Sequence, residues 1–140
     1  MVSSAPHSQI HPNLHQINPE ETWKLVQRED VVFVDIRSEI EHFFVGNPPG
    51  VINIPWQDAP DFELNPDFLK EVSLAARKDQ PVVLICRSGH RSIDAGNFLL
   101  EAGFQKVYNV LEGFEGDRDQ HHHRSSINGW RFRGLPWVQC

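Results

Sequence analysis

The chain has 140 residues, of which 39% are hydrophobic, and its formal net charge at pH 7 is −6. This length and composition predict one globular domain with a hydrophobic core and exclude a disordered chain. The negative charge argues against general binding to nucleic acids or membrane surfaces, and no apolar run approaches the roughly 20 residues that a membrane-spanning helix needs.

The first predicted element is a helix that begins after Asn18. Asn18 is a suitable N-cap, a proline follows it, and Glu21 lies three residues after the cap, as in a capping box. We expect this helix to end near Arg28. Residues 1–16 are rich in polar residues and proline and contain no hydrophobic signal segment. We therefore expect a flexible N-terminal segment, a domain over residues 17–140 and a cytoplasmic location.

Strands and helices alternate along the rest of the domain. Four short apolar runs rich in β-branched residues are typical of buried strands. They cover residues 31–34, 51–54, 81–85 and 106–110. Two further helices are predicted over residues 65–77 and 91–102, and Gly103 suits the position after the second one. This alternation predicts an α/β fold with a parallel sheet and helices on both of its faces.

Residues 112–140 differ in composition from the rest of the chain. Their glycine and aspartate residues indicate loops. Several large aromatic residues interrupt these loops: Phe114, Trp130, Phe132 and Trp137. Because so many aromatic side chains would be unfavourable in water, we expect this loop-rich C-terminal closure to pack back onto the domain.

The most informative segment is the loop at residues 86–92, with the sequence Cys-Arg-Ser-Gly-His-Arg-Ser. It lies between the predicted buried strand and the helix over 91–102. Cys86 is therefore expected near a helix N-terminus, where unpaired backbone N–H groups and the helix dipole stabilise a thiolate or a bound anion. A buried, inert cysteine is the alternative, although the polar, cationic loop argues against it. The hypothesis requires the Cys86 side chain to be reachable from solvent.

The charged residues of the loop have two possible roles. Arg87, His90 and Arg91 could attract an anionic substrate and favour the thiolate. They could instead brace the structure through carboxylates such as Asp35 or Glu41. Substrate contact is favoured for Arg87. Bracing is favoured for Arg91, because an arginine in the first turn of a helix opposes the helix dipole.

The remaining polar residues around the loop are expected to shape it. Gly89 permits a positive φ or a close approach of the backbone. Ser88 and Ser92 could hydrogen-bond the sulfur or cap the turn and the helix, and capping is favoured for Ser92. Asp35 and Arg37 follow the end of a predicted strand, at the edge of the sheet where ligands bind in such folds. We expect them to form an ion pair that supports the site rather than to act in catalysis.

Several segments together resemble the rhodanese family. They are residues 34–37 (Val-Asp-Ile-Arg) with Glu41, 49–55 (Pro-Gly-Val-Ile-Asn-Ile-Pro), the cysteine loop 86–92, 111–114 (Leu-Glu-Gly-Phe), and the C-terminal segments 129–130 (Gly-Trp) and 134–137 (Gly-Leu-Pro-Trp). Any one of these motifs alone would be weak, but the combination is specific. The resemblance covers roughly residues 18–137 and is strongest to single-domain bacterial members. Residues 115–128 look like an insertion, which affects the expected substrate access rather than the chemistry.

The resemblance implies a single rhodanese-like domain with a mainly parallel five-stranded sheet. It implies a sulfurtransferase that moves sulfane sulfur from thiosulfate or a related donor through a persulfide on Cys86. Substrate contacts are then expected from Arg87, Ser88, Gly89, His90 and Arg91. The implied acceptor is a small thiol, cyanide or a protein thiol, with no cofactor, no nucleic acid and no membrane. We expect a monomer or a weak homodimer.

Two other functions stay open. Cysteine phosphatases and arsenate reductases of similar architecture have five residues between the cysteine and the arginine. Four residues separate Cys86 from Arg91 here, so the loop suits a sulfur atom better than a phosphate. A non-enzymatic sulfur-relay or binding module would use the same persulfide chemistry with a protein thiol as its partner.

Two further features allow a second interpretation. The three histidines at 121–123 suggest a metal site, but their spacing is not that of a compact ligand set, so we favour a solvated loop and expect no metal. Cys140, the last residue, is interpreted as an incidental thiol. A role as a resolving or sulfur-accepting thiol for Cys86 is the alternative.

Overall fold

The computed structural model describes residues 9–58 and 63–139. Its elements in chain order are β1 (Leu14–Ile17), α1 (Pro19–Leu25), β2 (Val32–Asp35), a π-helical turn (Glu41–Val45), β3 (Ile52–Asn53), β4 (Gln57–Asp58), β5 (Glu63–Leu64), α2 (Phe68–Ala75), β6 (Pro81–Ile85), α3 (Arg91–Glu101) and β7 (Lys106–Val110). Five of the strands form one sheet, and β4 pairs with β5 in a separate antiparallel ribbon.

The main sheet has the strand order β1-β7-β6-β2-β3, and each neighbouring pair is parallel. The predicted α/β fold with a parallel five-stranded sheet is therefore confirmed. Strand β6 lies at the centre, with Val82 opposite Val107 of β7 and Leu84 opposite Val34 of β2. Since all five strands run the same way, their carboxyl ends meet at one edge of the sheet.

Helices cover both faces of the sheet. On one face, α2 and α3 pack against a cluster that includes Val82 and Leu84. On the other face, α1 and the C-terminal tail pack against a cluster that includes Val83 and Ile85. Successive side chains of a strand point to opposite faces, so every residue of β6 is buried. This explains why β6 is an uninterrupted apolar run.

The capping box predicted at Asn18 is confirmed. The Asn18 side chain accepts a hydrogen bond from the backbone N–H of Glu21 at 2.8 Å, and the Glu21 carboxylate accepts one from the Asn18 N–H at 3.4 Å. Helix α1 ends at Leu25 rather than near Arg28, because the Arg28 N–H bonds to the Leu25 carbonyl in a tighter turn. Helix α3 ends just before Gly103, as predicted, and Gly103 has φ +105°.

The N-terminal boundary of the domain differs from the predicted one. The prediction of a flexible segment over residues 1–16 is wrong for residues 14–16, because Leu14–Ile17 form β1 and pair with β7. Leu14 is buried and packs over Gly96 of α3, where an added Cβ atom would lie 2.7 Å from the Leu14 side chain. Polar residues between Leu14 and Ile17 conceal this strand in the sequence. Residues 1–8 lie outside the described residues.

The C-terminal closure packs onto the domain as predicted, although unevenly. Phe114 and Trp130 are fully buried, and the Trp130 indole N–H donates to the Pro136 carbonyl at 2.7 Å. Phe132 is half exposed and contributes little to this packing. The ribbon of β4 and β5 was not predicted, and the residues between its strands are outside the described ranges. No helix in the described part of the chain combines the length and apolar character needed to cross a membrane.

Candidate active site

The cysteine loop joins the central strand to a helix. Cys86 follows directly after β6, and α3 begins at Arg91. Asp35 ends the neighbouring strand β2, opposite Ile85 in the register. The structure thus brings the cysteine loop and the aspartate–arginine motif to the same carboxyl edge of the sheet.

Two polar groups contact the Cys86 sulfur. The backbone N–H of Gly89 donates to Sγ at 3.1 Å, and the Ser92 hydroxyl oxygen lies 3.2 Å from Sγ. Gly89 has φ +93°, which favours glycine and turns its N–H towards the sulfur. An anionic sulfur accepts such bonds more strongly than a neutral thiol does. The loop therefore offers hydrogen-bonding groups to a thiolate or a persulfide.

Asn109 in β7 extends this network, although it was not singled out in the sequence as a site residue. Its Nδ2 donates to the Gly89 carbonyl at 3.1 Å and to the Gln16 side chain at 2.6 Å, and its Oδ1 faces the Ser92 hydroxyl. The Gly89 carbonyl can only accept, which fixes the orientation of the Asn109 amide. A polar residue between Tyr108 and Val110 in a predicted strand was the available signal.

The Ser92 hydroxyl carries one proton and has two partners that can take it. When it donates to Asn109 Oδ1, it can only accept from Cys86, which must then be a thiol that donates its S–H. When the sulfur is an anion, the hydroxyl must turn from Asn109 to Sγ. The network is therefore coupled to the protonation state of the cysteine.

The Cys86 side chain is not reachable from solvent in this structure. The residue is 1% exposed and belongs to the hydrophobic cluster beneath α3. The expectation of a solvent-accessible sulfur is therefore wrong for this conformation. An inert buried cysteine does not need the polar contacts from Gly89 and Ser92. These contacts distinguish Cys86 from the apolar side chains of the same cluster.

Arg91 is braced by a carboxylate. Its guanidinium donates two hydrogen bonds to Glu41, at 2.9 and 3.1 Å. Burial raises the pKa of Glu41, but the bonds from Arg91 and Ser38 outweigh it and hold that pKa below its usual value. Burial lowers the pKa of Arg91, but the hydrogen bonds and charge of Glu41 raise it by more. The pKa of Arg91 is therefore raised above its usual value. The pair remains charged and fixes the first turn of α3.

The other polar residues of the loop lie at its outer rim. Arg87 and His90 are exposed, and the Ser88 hydroxyl lies 3.4 Å from Nδ1 of His90. The Arg87 side chain has no hydrogen bond or ion pair within the described part of the chain. Two cavities, of about 440 and 430 Å³, adjoin the rim, and Ser88, His90 and Asp117 border both of them.

A buried charge cluster lies at the end of β2. Asp35 accepts two hydrogen bonds from the Arg37 guanidinium, at 2.9 and 2.7 Å, and one from Nδ1 of His42 at 2.8 Å. Burial raises the pKa of Asp35, but these bonds outweigh it and hold the pKa below its usual value. The guanidinium also lies 4.6 Å from the centre of the Phe114 ring. His42 was not singled out from the sequence, where nothing marks its pairing.

The C-terminal closure supports the cysteine loop from behind. The Phe114 N–H donates to the Cys86 carbonyl at 2.8 Å, and the Glu115 N–H donates to the Arg87 carbonyl at 2.9 Å. Gly113 has φ +65°, and an added Cβ atom there would lie 2.6 Å from backbone atoms of Cys86 and Arg87. The close approach requires a glycine at this position.

The histidines at 121–123 lie on an irregular, exposed segment. Within the described ranges, no group of three or more His, Cys, Asp or Glu side chains could hold a metal ion. Cys140, and with it the hypothesis of a second reactive thiol, lies outside the described residues.

Comparison with known proteins agrees with this geometry. A family model described as a rhodanese-like domain matches residues 18–120. The crystal structure of Rv0390 from M. tuberculosis is 39% identical, covers 90% of this chain and 98% of its own, and superposes with a TM-score of 0.81. The thiosulfate sulfurtransferase GlpE of Actinobacillus succinogenes is 31% identical over 121 residues, which cover 86% of this chain and 87% of the relative. An uncharacterized protein of Rickettsia conorii is 34% identical over 119 residues, which cover 81% of this chain and 87% of the relative.

The fold and the cysteine loop thus define an α/β domain of the rhodanese type. The chain belongs to the rhodanese-like family, whose named members include thiosulfate sulfurtransferases. The family model ends at residue 120, inside the segment that was interpreted as an insertion.

Proposed function

We propose that the protein is a sulfurtransferase that takes sulfane sulfur from thiosulfate or a related donor and passes it to a thiophilic acceptor. Cys86 carries the sulfur as a persulfide. The observation that supports this most directly is the position of Sγ at the carboxyl end of β6, where the Gly89 N–H donates to it. The name of the Actinobacillus succinogenes relative supports thiosulfate as the donor. A cytoplasmic location is part of the same proposal.

In the first half-reaction, the Cys86 thiolate attacks the outer sulfur of thiosulfate. A sulfur–sulfur bond forms, the bond between the two sulfurs of thiosulfate breaks, and its electron pair leaves with sulfite. In the second half-reaction, cyanide or a thiol attacks the outer sulfur of the persulfide and removes it, and the thiolate is restored. Sulfite leaves before the acceptor enters, so the kinetics are expected to be ping-pong.

The loop residues divide these tasks between them. The Gly89 N–H and the Ser92 hydroxyl stabilise the anionic sulfur before and after transfer, since both lie within hydrogen-bond distance of Sγ. Arg91 provides a fixed positive charge at the start of α3, held by its ion pair to a carboxylate. Arg87 is exposed and unpaired in the described chain, so it is available for the donor anion.

Transfer requires movement of the cysteine loop, because Cys86 is 1% exposed. Cavities border the loop at Ser88 and His90, so an outward movement there meets open space rather than packed side chains. We therefore expect iodoacetamide to modify Cys86 more slowly than a free cysteine, and more slowly still as the reagent becomes bulkier. The first half-reaction is then limited by opening of the loop.

Intact-mass spectrometry after thiosulfate treatment tests the proposal. The wild-type chain should gain one sulfur atom, and cyanide should remove it with formation of thiocyanate. Cys86→Ser should gain none, whereas the matched variant Cys140→Ser should behave like the wild type. Equal modification of Cys86→Ser would contradict the proposal. Sustained hydrolysis of p-nitrophenyl phosphate would instead favour a cysteine phosphatase.

A further inference from the structure

A segment rich in charged residues and histidines lies beside the cysteine loop. This segment, residues 117–124, and the loop together enclose a polar cavity of about 430 Å³. Ser88 and His90 line the loop side. Three basic residues line the opposite side: Arg118, His122 and Arg124. All three belong to the insertion whose role the sequence does not define.

Two carboxylates also line this cavity, but much of their hydrogen-bonding capacity is used within the segment. Asp119 accepts bonds from the backbone N–H groups of two neighbouring histidines, at 2.8 and 3.0 Å, and from the Ser126 hydroxyl at 2.6 Å. These bonds, with that from Ser126 first, lower the pKa of Asp119 to about 2. Asp117 accepts from the Asn128 side chain at 3.0 Å. Both acids hold the segment in shape.

The arginines, in contrast, keep unused donors. One nitrogen of Arg124 donates to the Gly116 carbonyl at 2.7 Å. Arg118 and Arg87 have no side-chain hydrogen bond or ion pair with any residue that the structure describes. Burial lowers the pKa of Arg124, and burial together with repulsion from Arg87 and Arg118 outweighs the attraction of Glu115 and Asp117, which raises it. Guanidinium N–H donors without a partner therefore lie at the rim of the cysteine loop, beside carboxylates whose hydrogen bonds are largely made within the segment.

This arrangement suits an anion with several oxygen atoms, because guanidinium groups bind oxyanions through paired N–H donors. We infer that Arg118 and Arg124 form an oxyanion-binding site that receives the sulfonate end of the sulfur donor before transfer to Cys86. The identity of the donor rests on the proposed function, whereas binding of the anion can be measured without any transfer.

The binding test uses the full chain with Cys86→Ser, which cannot form the persulfide. Calorimetric titration with thiosulfate should show affinity reduced about five- to tenfold by Arg118→Gln and by Arg124→Gln. Because Arg118 has no partner within the described chain, Arg118→Gln should not affect folding. Arg77→Gln removes the same charge before β6, at the opposite end of the sheet, and should leave binding unchanged. Equal binding by all variants, or no binding by the parent, overturns the inference.

Steady-state kinetics on the chain with Cys86 intact provide the second readout. Arg118→Gln and Arg124→Gln should raise the KM for thiosulfate with little change in kcat, and the effect should shrink with a monoanionic thiosulfonate donor. If binding depends on the arginines but the wild type transfers no sulfur, the proposed function fails and the site stands. If transfer proceeds with an unchanged KM in both variants, the site fails and the proposed function stands.

Discussion

Glu41 and Arg91 lie 50 residues apart in the chain and form a two-bond ion pair, with distances of 2.9 and 3.1 Å. Glu41 begins the π-helical turn after β2, and Arg91 is the first residue of α3. The pair connects the turn that follows β2 to helix α3, which follows the neighbouring strand β6. It therefore holds the far end of the cysteine loop.

Glu41→Gln should test this bracing role. The substitution keeps the size of the side chain but removes its charge, so Arg91 loses a charge-assisted contact in a partly buried place. We expect a loss of about 1–3 kcal/mol in the free energy of unfolding, measured by urea denaturation, and a lower kcat/KM for thiosulfate. Asp30→Asn is the matched control, because the Arg28–Asp30 pair is at least half exposed. That control should cost less than about 1 kcal/mol and leave activity unchanged. Equal losses in the two variants would count against a bracing role.

Asp35→Asn should destabilise the protein strongly and in a pH-dependent way. The substitution leaves the buried Arg37 guanidinium without its carboxylate, which we expect to cost about 3–5 kcal/mol near pH 7. The pKa of Asp35 is lowered from 3.8 in the folded state. A lowered folded pKa means that the stabilisation is fully present above the unfolded pKa and is lost as pH falls through the folded value. The gap between wild type and Asp35→Asn should therefore shrink below about pH 4.

Urea denaturation at a series of pH values measures this gap. Asp79→Asn is a suitable control, because the Arg77–Asp79 pair is mostly exposed and should make a small contribution at every pH. A gap that stays constant from pH 7 into the acid range would show that the Asp35 charge does not contribute, and that the variant acts through its altered hydrogen bonds alone.

The sequence predicts well those features that local chemistry controls. The apolar runs of β6 and β7 and the capping box at Asn18 are confirmed, because burial on both faces and helix capping leave a local pattern. The cysteine loop was found for the same reason. It combines a strand end, a glycine with positive φ and a helix start within seven residues.

Features that depend on distant partners left no such pattern. Strand β1 has only Leu14 and Ile17 as apolar residues, and it is a strand because β7 offers it an edge to pair with. Asn109 is a single polar residue whose role depends on its contact with Ser92 in another element. His42 contacts Asp35 only seven residues earlier, but no recognised motif joins the two positions. The burial of the cysteine likewise results from packing between a strand and a helix, and the loop residues alone do not encode it.

Ser92 and Asn109 should be energetically coupled. Ser92→Ala leaves the buried Oδ1 of Asn109 without its donor, which we expect to cost about 1–3 kcal/mol. Asn109→Leu leaves the Gly89 carbonyl without its side-chain donor and the Ser92 hydroxyl with Cys86 Sγ as its remaining partner, and it should cost at least as much. Each single variant already loses the hydrogen bond between Ser92 and Asn109. The double variant should therefore lose about 1 kcal/mol less in its free energy of unfolding than the two single variants lose together, measured by urea denaturation.

A distant pair gives the control for this cycle. Asp79→Asn removes an exposed ion pair before β6, at the opposite end of the sheet from Ser92, and its cost of less than about 1 kcal/mol should add to that of Ser92→Ala within about 0.5 kcal/mol. If the Ser92 and Asn109 substitutions were equally additive, the hydrogen bond between them would not be an energetic link. Changes in activity would then need another cause.

Gly113→Ala should damage the site through the backbone of the cysteine loop. Gly113 has φ +65°, so any other residue there is strained by about 1 kcal/mol. Its added Cβ atom would also lie 2.6 Å from the carbonyl oxygens of Cys86 and Arg87, which must then shift. Because the Gly89 N–H contact to Sγ depends on the course of this loop, we expect kcat/KM for sulfur transfer to fall at least tenfold.

Gly134→Ala separates the steric effect from the conformational one. Gly134 has a similar φ of +75°, but no atom lies within 4 Å of the position of an added Cβ. An alanine there would therefore suffer backbone strain but no steric clash. This variant should lose about 1 kcal/mol of stability and keep its activity. Thermal melting and thiocyanate formation measure the two quantities side by side. If Gly113→Ala kept the activity of Gly134→Ala, the support of the cysteine loop by the C-terminal closure would have no bearing on sulfur transfer.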